Sequence, residues 1–171
     1  MPEWDVGVAT EGSPNTPGGV KRYYAGIYRA INDSTPVHCD WSPFDSATED
    51  WILNRITHQA VFNLYCADIR HGGETVLYDL QWSERAMRYR DPQTYGYFPE
   101  MVEGRKRYTL KPEQGDLVLF NTRGMHEVKP VGLEEHPVLG KWKPPRVTLS
   151  SFMGLLPGEV TGGRPRLIFW S

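Results

Sequence analysis

RITHQAVFNLYCA, residues 55–67, decides the class of fold. In extended backbone successive side chains project to opposite faces. One face then carries Ile56, His58, Ala60, Phe62, Leu64 and Cys66, and its apolar character suits packing against a second layer. The other carries Thr57, Gln59, Val61, Asn63 and Tyr65, polar groups of the kind that line a cavity. Outward from this strand the pattern repeats in shorter form. Glu74 to Leu80, Lys106 to Leu110, Gly115 to Asn121, Met125 to Val131, Arg146 to Leu155 and Leu167 to Trp170 read as strands bounded by turn residues. Val20 to Ile31 reads as one or two more, closed by the turn Asn32-Asp33-Ser34. Gln81 to Arg90 reads as a short helix, with Trp82, Ala86 and Tyr89 at helical spacing, and Ser46 as the cap of a helical turn. Residues 1–19, rich in Gly, Pro, Ser and Thr, read as a tail or loop, and Gly132 to Pro145 as a proline-containing loop. Some eight short strands at turn-bounded intervals predict a mostly β sandwich or jelly roll with few short helices.

Composition narrows the function classes. The chain has 171 residues, enough for one well-cored domain, 1–171. With 39% hydrophobic and 23% charged residues it is an ordinary soluble globular sequence. A net charge of −2 gives no footprint for nucleic acid or an acidic membrane surface. No apolar run approaches a membrane span. The two cysteines form no framework and no signal peptide is recognisable, so both read as reduced thiols in a cytoplasmic protein.

His38-Cys39-Asp40 is the stretch that carries chemistry. It places an imidazole and a carboxylate two residues apart, on one face of extended backbone. A metal site needs a second histidine. His126 is the best candidate, because it follows the strand DLVLF and a glycine-containing turn and opens HEVKPV. His58 reads as a core histidine, His71 as a turn residue beside Gly72-Gly73, and His136 as a solvated residue next to Glu134 and Glu135. Two imidazoles and one carboxylate leave three coordination positions open, the facial triad of non-haem Fe(II) oxygenases. HExxH, the CxxC zinc spacings, a GxSxG elbow, a P-loop and a dinucleotide fingerprint are all absent.

With these residues in hand, the chain resembles the Fe(II)/2-oxoglutarate-dependent oxygenases. Four pieces carry the likeness in order: His38-Cys39-Asp40 as HxD; LYCAD followed by GGETV (64–68 and 72–76); GDLVLF (115–120) leading to His126 and Pro130-Val131; and Arg146-Val147-Thr148 as the late R-x-S/T. They span about residues 20–155. The resemblance implies a double-stranded β-helix, a jelly roll of cupin type. It implies Fe(II) on His38, Asp40 and His126, with O2 and 2-oxoglutarate as cosubstrates. Arg146 would hold the far carboxylate of 2-oxoglutarate, with Tyr65, Thr148 and Asn63 beside it. The implied reaction decarboxylates 2-oxoglutarate to succinate and CO2 and hydroxylates an unactivated C–H of a small molecule. Related halogenases carry Gly or Ala in place of the acidic ligand. Asp40 therefore points to hydroxylation, or a related desaturation or cyclisation.

Trp41, Phe44, Trp51, Trp82 and Tyr97 near these motifs suit an amino-acid derivative or natural-product intermediate as substrate, although such aromatics more often fill cores. Family members usually carry helices before the first core strand. Only about twenty loop-like residues precede it here, so the apolar face around Phe62 and Leu64 needs a cover, such as another subunit of a homo-oligomer. Two other classes stay open: a cupin-type metal dioxygenase or isomerase that uses no 2-oxoglutarate, and a non-enzymatic β-sandwich binding module. Arg146 speaks against the first.

Overall fold

A computed structural model describes residues 3–12, 14, 15 and 17–171. Fourteen strands appear in chain order: β1 Asp5–Val8, β2 Thr10–Glu11, β3 Lys21–Arg22, β4 Ile27–Ile31, β5 Thr35–His38, β6 His58–Tyr65, β7 Thr75–Gln81, β8 Arg107–Leu110, β9 Leu117–Phe120, β10 Gly124–Val128, β11 Glu134–His136, β12 Gly140–Trp142, β13 Arg146–Leu156 and β14 Arg166–Trp170. Among the described residues helix is confined to the single turns α1 Ser42–Asp45 and α2 Gly158–Thr161 and to three 3-10 segments.

Two sheets make a jelly-roll sandwich. The larger runs β1-β14-β13-β6-β9, with β4 also on β13; the smaller runs β5-β10-β7-β8. The long β13 is the spine of the larger sheet. Its Thr148–Leu155 stretch pairs with β6 along one side, while β4 and β14 share its other side. This register sets the inner face. Arg146, Thr148 and Ser150 of β13 stand beside Ile31, Arg29 and Ile27 of β4, and Thr148 and Ser150 also stand opposite Tyr65 and Asn63 of β6.

The faces of β6 are opposite to their simplest reading. The polar set Gln59, Val61, Asn63 and Tyr65 points between the sheets, with Gln59, Val61 and Tyr65 buried. The apolar set Ala60, Phe62 and Leu64 points outward. The interior of this sandwich holds a polar cavity, so alternation alone inverts inside and outside. Leu117 and Leu119 of β9, opposite Leu64 and Phe62, are more than half exposed, as is Val6 of β1. Among the described residues nothing covers this outer apolar face.

Two apolar clusters fix the sheets. Ala9, Leu53, Ile56, Leu156, Ile168 and Trp170 pack one end of the larger sheet's inner face. Val37, Cys39, Trp82, Ala86, Tyr97, Met101, Val102 and Met125 back the smaller sheet, with Trp41 and Phe44 against them.

Several readings change. Residues 1–19 are not simply a tail: Asp5–Val8 runs parallel to Arg166–Phe169, and Thr10–Glu11 pairs with Lys21–Arg22. Their partners lie far along the chain or in a two-residue strand, beyond local periodicity. Met1, Pro2, Ser13 and Thr16 of that stretch lie outside the described residues. Gly132 to Pro145 contains the hairpin β11–β12, with His136 half-buried and edge-on to Trp142. His58 is exposed on the outer face rather than in the core. Ser46 closes the turn α1 rather than starting one, its Oγ donating to the Ser42 carbonyl at 2.8 Å. Among the described residues no helix is long and apolar enough to cross a membrane.

Gly72 tests the connection that carries the GGET stretch. It has φ +74°, and a Cβ there would meet the Pro130 carbonyl oxygen at 2.0 Å. Gly72→Ala is expected to destabilise the fold by at least about 2 kcal/mol, read from the urea-unfolding midpoint. An unchanged midpoint would show that this backbone relaxes freely.

Candidate metal centre and cosubstrate pocket

His38, Asp40 and His126 come together between the sheets. His38 ends β5, His126 lies in β10, and the two are register partners across the smaller sheet. Asp40 follows β5, its backbone N–H donating to the Thr122 carbonyl at 2.9 Å. Its Oδ2 lies 3.4 Å from His126 Nε2 and 3.9 Å from His38 Nε2. One ligand atom from each residue lies within 4.8 Å of the others.

The tautomers follow from the outer hydrogen bonds. His38 Nδ1 lies 2.8 Å from the Pro36 carbonyl oxygen, and His126 Nδ1 lies 2.9 Å from that of Gly124. A carbonyl only accepts, so each Nδ1 carries the proton and each Nε2 offers its lone pair toward Asp40. This is the outer-shell arrangement that orients metal-bound histidines. Burial, then the neighbouring His126, pushes His38 down to about 4, so its ring is neutral at pH 7. For Asp40 burial opposes ionisation. The neighbouring His126, His38 and Arg29 outweigh it and hold the carboxyl below its usual value. The donor set is two imidazoles and one carboxylate, which fits Fe(II) with an open face.

Cys39 turns to the opposite side, into the cluster behind the smaller sheet. Burial, then the charge of Asp45, pushes its thiol up to about 12. Trp41, Phe44, Trp82 and Tyr97 belong to that backing cluster and line no part of the metal cavity, and Trp51 is exposed. Trp82 and Tyr97 are core residues, with Trp41 and Phe44 partly buried against them.

Arg146 lies on the inner face of β13, 4% exposed. Its Nε donates to the Gly73 carbonyl at 3.1 Å; its Nη2 donates to Tyr65 Oη at 2.9 Å and Thr75 Oγ1 at 3.2 Å. All these partners are neutral. Among the described residues no carboxylate pairs with it. Tyr65 is therefore beside Arg146, its ring under the guanidinium at 4.9 Å. Thr148 and Asn63 lie further along the same face, joined through Ser150, whose Oγ is 2.6 Å from Asn63 Oδ1 and 3.0 Å from Thr148 Oγ1.

One cavity of about 80 Å³ holds all three metal-ligand candidates with Arg146, Thr148, Asn63, Ser150 and Thr75. Arg29, Phe120, Phe152 and Thr35 also line it. None of these four stands out in sequence, though Arg29 alternates with Ile27 and Ile31, which is a visible signal. Cavity size does not locate the chemistry. A larger cleft of about 880 Å³ lies against Tyr78, Glu127 and Lys129 on the outer side of the smaller sheet, and no histidine lines it.

Solved structures share this architecture. The N-substituted L-amino acid dioxygenase of Burkholderia ambifaria AMMD superposes with a TM-score of 0.64 at 18% identity, over 95% of this chain and 57% of that one. Its complex with alpha-KG (2-oxoglutarate) gives 0.66 at 18% identity, over 97% and 58%. The chain shares the fold of this dioxygenase. Its His-Asp-His group fits the Fe(II)/2-oxoglutarate oxygenases, which the chain resembles in sequence motif as well. No protein-family model matches. Two curated relatives do. A leucinostatins biosynthesis cluster protein S of Purpureocillium lilacinum is 37% identical over 154 residues, 88% of this chain and 59% of the relative. An L-gamma-glutamyl-L-propargylglycine hydroxylase of Streptantibioticus cattleyicolor is 28% identical over 163 residues, 93% of this chain and 52% of the relative. The chain thus spans little more than half the length of the curated relatives it matches.

Proposed function

We propose that this chain is an Fe(II)- and 2-oxoglutarate-dependent hydroxylase of a small amino-acid derivative. A buried guanidinium with no carboxylate partner, in the cavity of a two-histidine, one-carboxylate group, carries the reading. An unpaired buried charge is costly, and a site that keeps one is built for an anion. The far carboxylate of 2-oxoglutarate suits it, because a planar guanidinium holds a carboxylate through parallel hydrogen bonds. A cupin that uses no such cosubstrate has no use for this group.

Each residue then has a task. His38 Nε2, His126 Nε2 and Asp40 hold Fe(II), and the Pro36 and Gly124 carbonyls keep both rings aimed. Arg146 and Tyr65 fix one end of 2-oxoglutarate. Bound iron supplies activation of O2; the net change is substrate C–H, 2-oxoglutarate and O2 to substrate C–OH, succinate and CO2. The protein supplies position. The names of the relatives, a hydroxylase of a glutamyl dipeptide and a dioxygenase of N-substituted amino acids, favour an amino-acid derivative as substrate.

Anaerobic titration with Fe(II) and 2-oxoglutarate is expected to give a charge-transfer band that His126→Ala abolishes. Succinate release is expected to rise with an amino-acid derivative when free amino acids, carrier-bound amino acids and peptides are compared. Absence of metal binding would favour the non-enzymatic module. Full activity of Arg146→Ala without 2-oxoglutarate would favour the cupin reading.

A further inference from the structure

The cavity contains two arginines, and only one of them is accounted for. Arg146 is sunk at its cradle of Gly73, Tyr65 and Thr75. Arg29 projects from β4, register partner of Thr148, into the same cavity. It is exposed, so it stands on the solvent side of the lining. Among the described residues it makes no ion pair. Its guanidinium carbon lies 6.0 Å from the Phe152 ring centroid, at the outer limit of a cation–π contact. It lines the cavity together with His38, Asp40 and His126.

We infer that Arg29 binds a free carboxylate of the substrate, the amino-acid derivative proposed above. This rests on the hydroxylase reading above. A single bound 2-oxoglutarate presents its far carboxylate to one cation, and the buried Arg146 with three fixed hydrogen bonds is the better organised of the two. The metal carboxylate, Asp40, is committed to two imidazoles. Arg29 therefore has its charge free for a second anion that approaches the iron from solvent. A guanidinium suits that task, since its paired N–H groups fix orientation as well as charge. Phe152 and Ile31 beside it offer apolar surface for the substrate side chain, and the polar Asn63 and Ser150 can meet an amide.

The test uses the whole chain loaded anaerobically with Fe(II) and 2-oxoglutarate. A panel of N-acetyl-L-amino acids and the matching C-terminal carboxamides is titrated by calorimetry. The native chain is expected to bind at least one acid about 10- to 100-fold more tightly than its amide, the worth of a charged hydrogen bond. Arg29→Ala is expected to remove that preference while binding 2-oxoglutarate as the native chain does. Arg29→Lys should restore part of it. Equal binding of acids and amides, no acid bound at millimolar concentration, or unchanged preference in Arg29→Ala would overturn the assignment. So would loss of 2-oxoglutarate binding in Arg29→Ala, which would give Arg29 to the cosubstrate. If the native chain takes up neither Fe(II) nor 2-oxoglutarate, the hydroxylase reading fails first and this inference with it. If both bind and the acid preference is missing, only the role of Arg29 fails.

Discussion

Asp40→Ala is expected to lower Fe(II) affinity by more than about 100-fold, beyond the 10- to 100-fold that losing an outer-shell partner costs. Hydroxylated product should fall by a similar factor or more. The reason is local. Asp40 is the one carboxylate of the group, and it faces two imidazoles. Its backbone is pinned to Thr122 through an N–H that the substitution leaves intact. Both rings keep the hydrogen bonds to Pro36 and Gly124 that aim them. The variant should therefore remain folded, with the ligand set reduced rather than scattered. Thermal melting of the metal-free protein checks the first point and Fe(II) calorimetry the second. Native affinity in the variant would show that the carboxylate is not a ligand.

In the proposed reaction the same residue bears on the outcome. A carboxylate at this position fills the place that a halogenase leaves for chloride. The native chain is expected to give hydroxylated product in chloride buffer, and dominant chlorinated product would overturn that. Protonation does not interfere near neutrality. A carboxyl held below its usual value stays ionised as pH falls until it reaches that lowered value.

Much of this was legible in the sequence, for physical reasons that particular residues illustrate. Strands announce themselves by alternation, so β6, β7, β9, β10, β13 and β14 fall where the pattern places them to within a few residues. The spacing of His38 and Asp40 puts both on one side of an extended chain, and that holds although Asp40 lies just past the end of β5. Contacts made at long range did not show. β1 finds its partner about 160 residues away in β14, and two-residue strands carry no period. The direction of β6 was also hidden. Which of two alternating faces is inside depends on whether the interior is an apolar core or a polar cavity, and composition alone favours the wrong answer. Arg29 was missed because an arginine between two isoleucines in a strand is usually a solvated edge residue. Only the register with Thr148 turns it toward the metal.

The second large effect belongs to Arg146, and its sign in stability differs from its sign in binding. Arg146→Met is expected to weaken 2-oxoglutarate at least about 100-fold, which removes at least about 2.3 kcal/mol of ligand stabilisation at cosubstrate concentrations 100-fold above the native dissociation constant. Without cosubstrate the two chains should differ in stability by no more than about 1 kcal/mol. The substitution forfeits hydrogen bonds to Gly73, Tyr65 and Thr75, each worth about 1 kcal/mol net. It also relieves the burial of an unpaired charge, a cost of several kcal/mol after relaxation. These terms oppose each other, and methionine fills most of the volume. A residue kept for packing would behave otherwise: its loss would lower the stability of the cosubstrate-free chain and leave the shift on adding 2-oxoglutarate intact. Tyr65→Phe separates charge from hydroxyl. It removes the oxygen that accepts from Arg146 Nη2 at 2.9 Å and keeps the ring beneath the guanidinium. Cosubstrate affinity should then fall only about 10-fold, one hydrogen bond's worth. A Tyr65→Phe loss as large as that of Arg146→Met would mean that the hydroxyl, not the guanidinium, is the principal anchor.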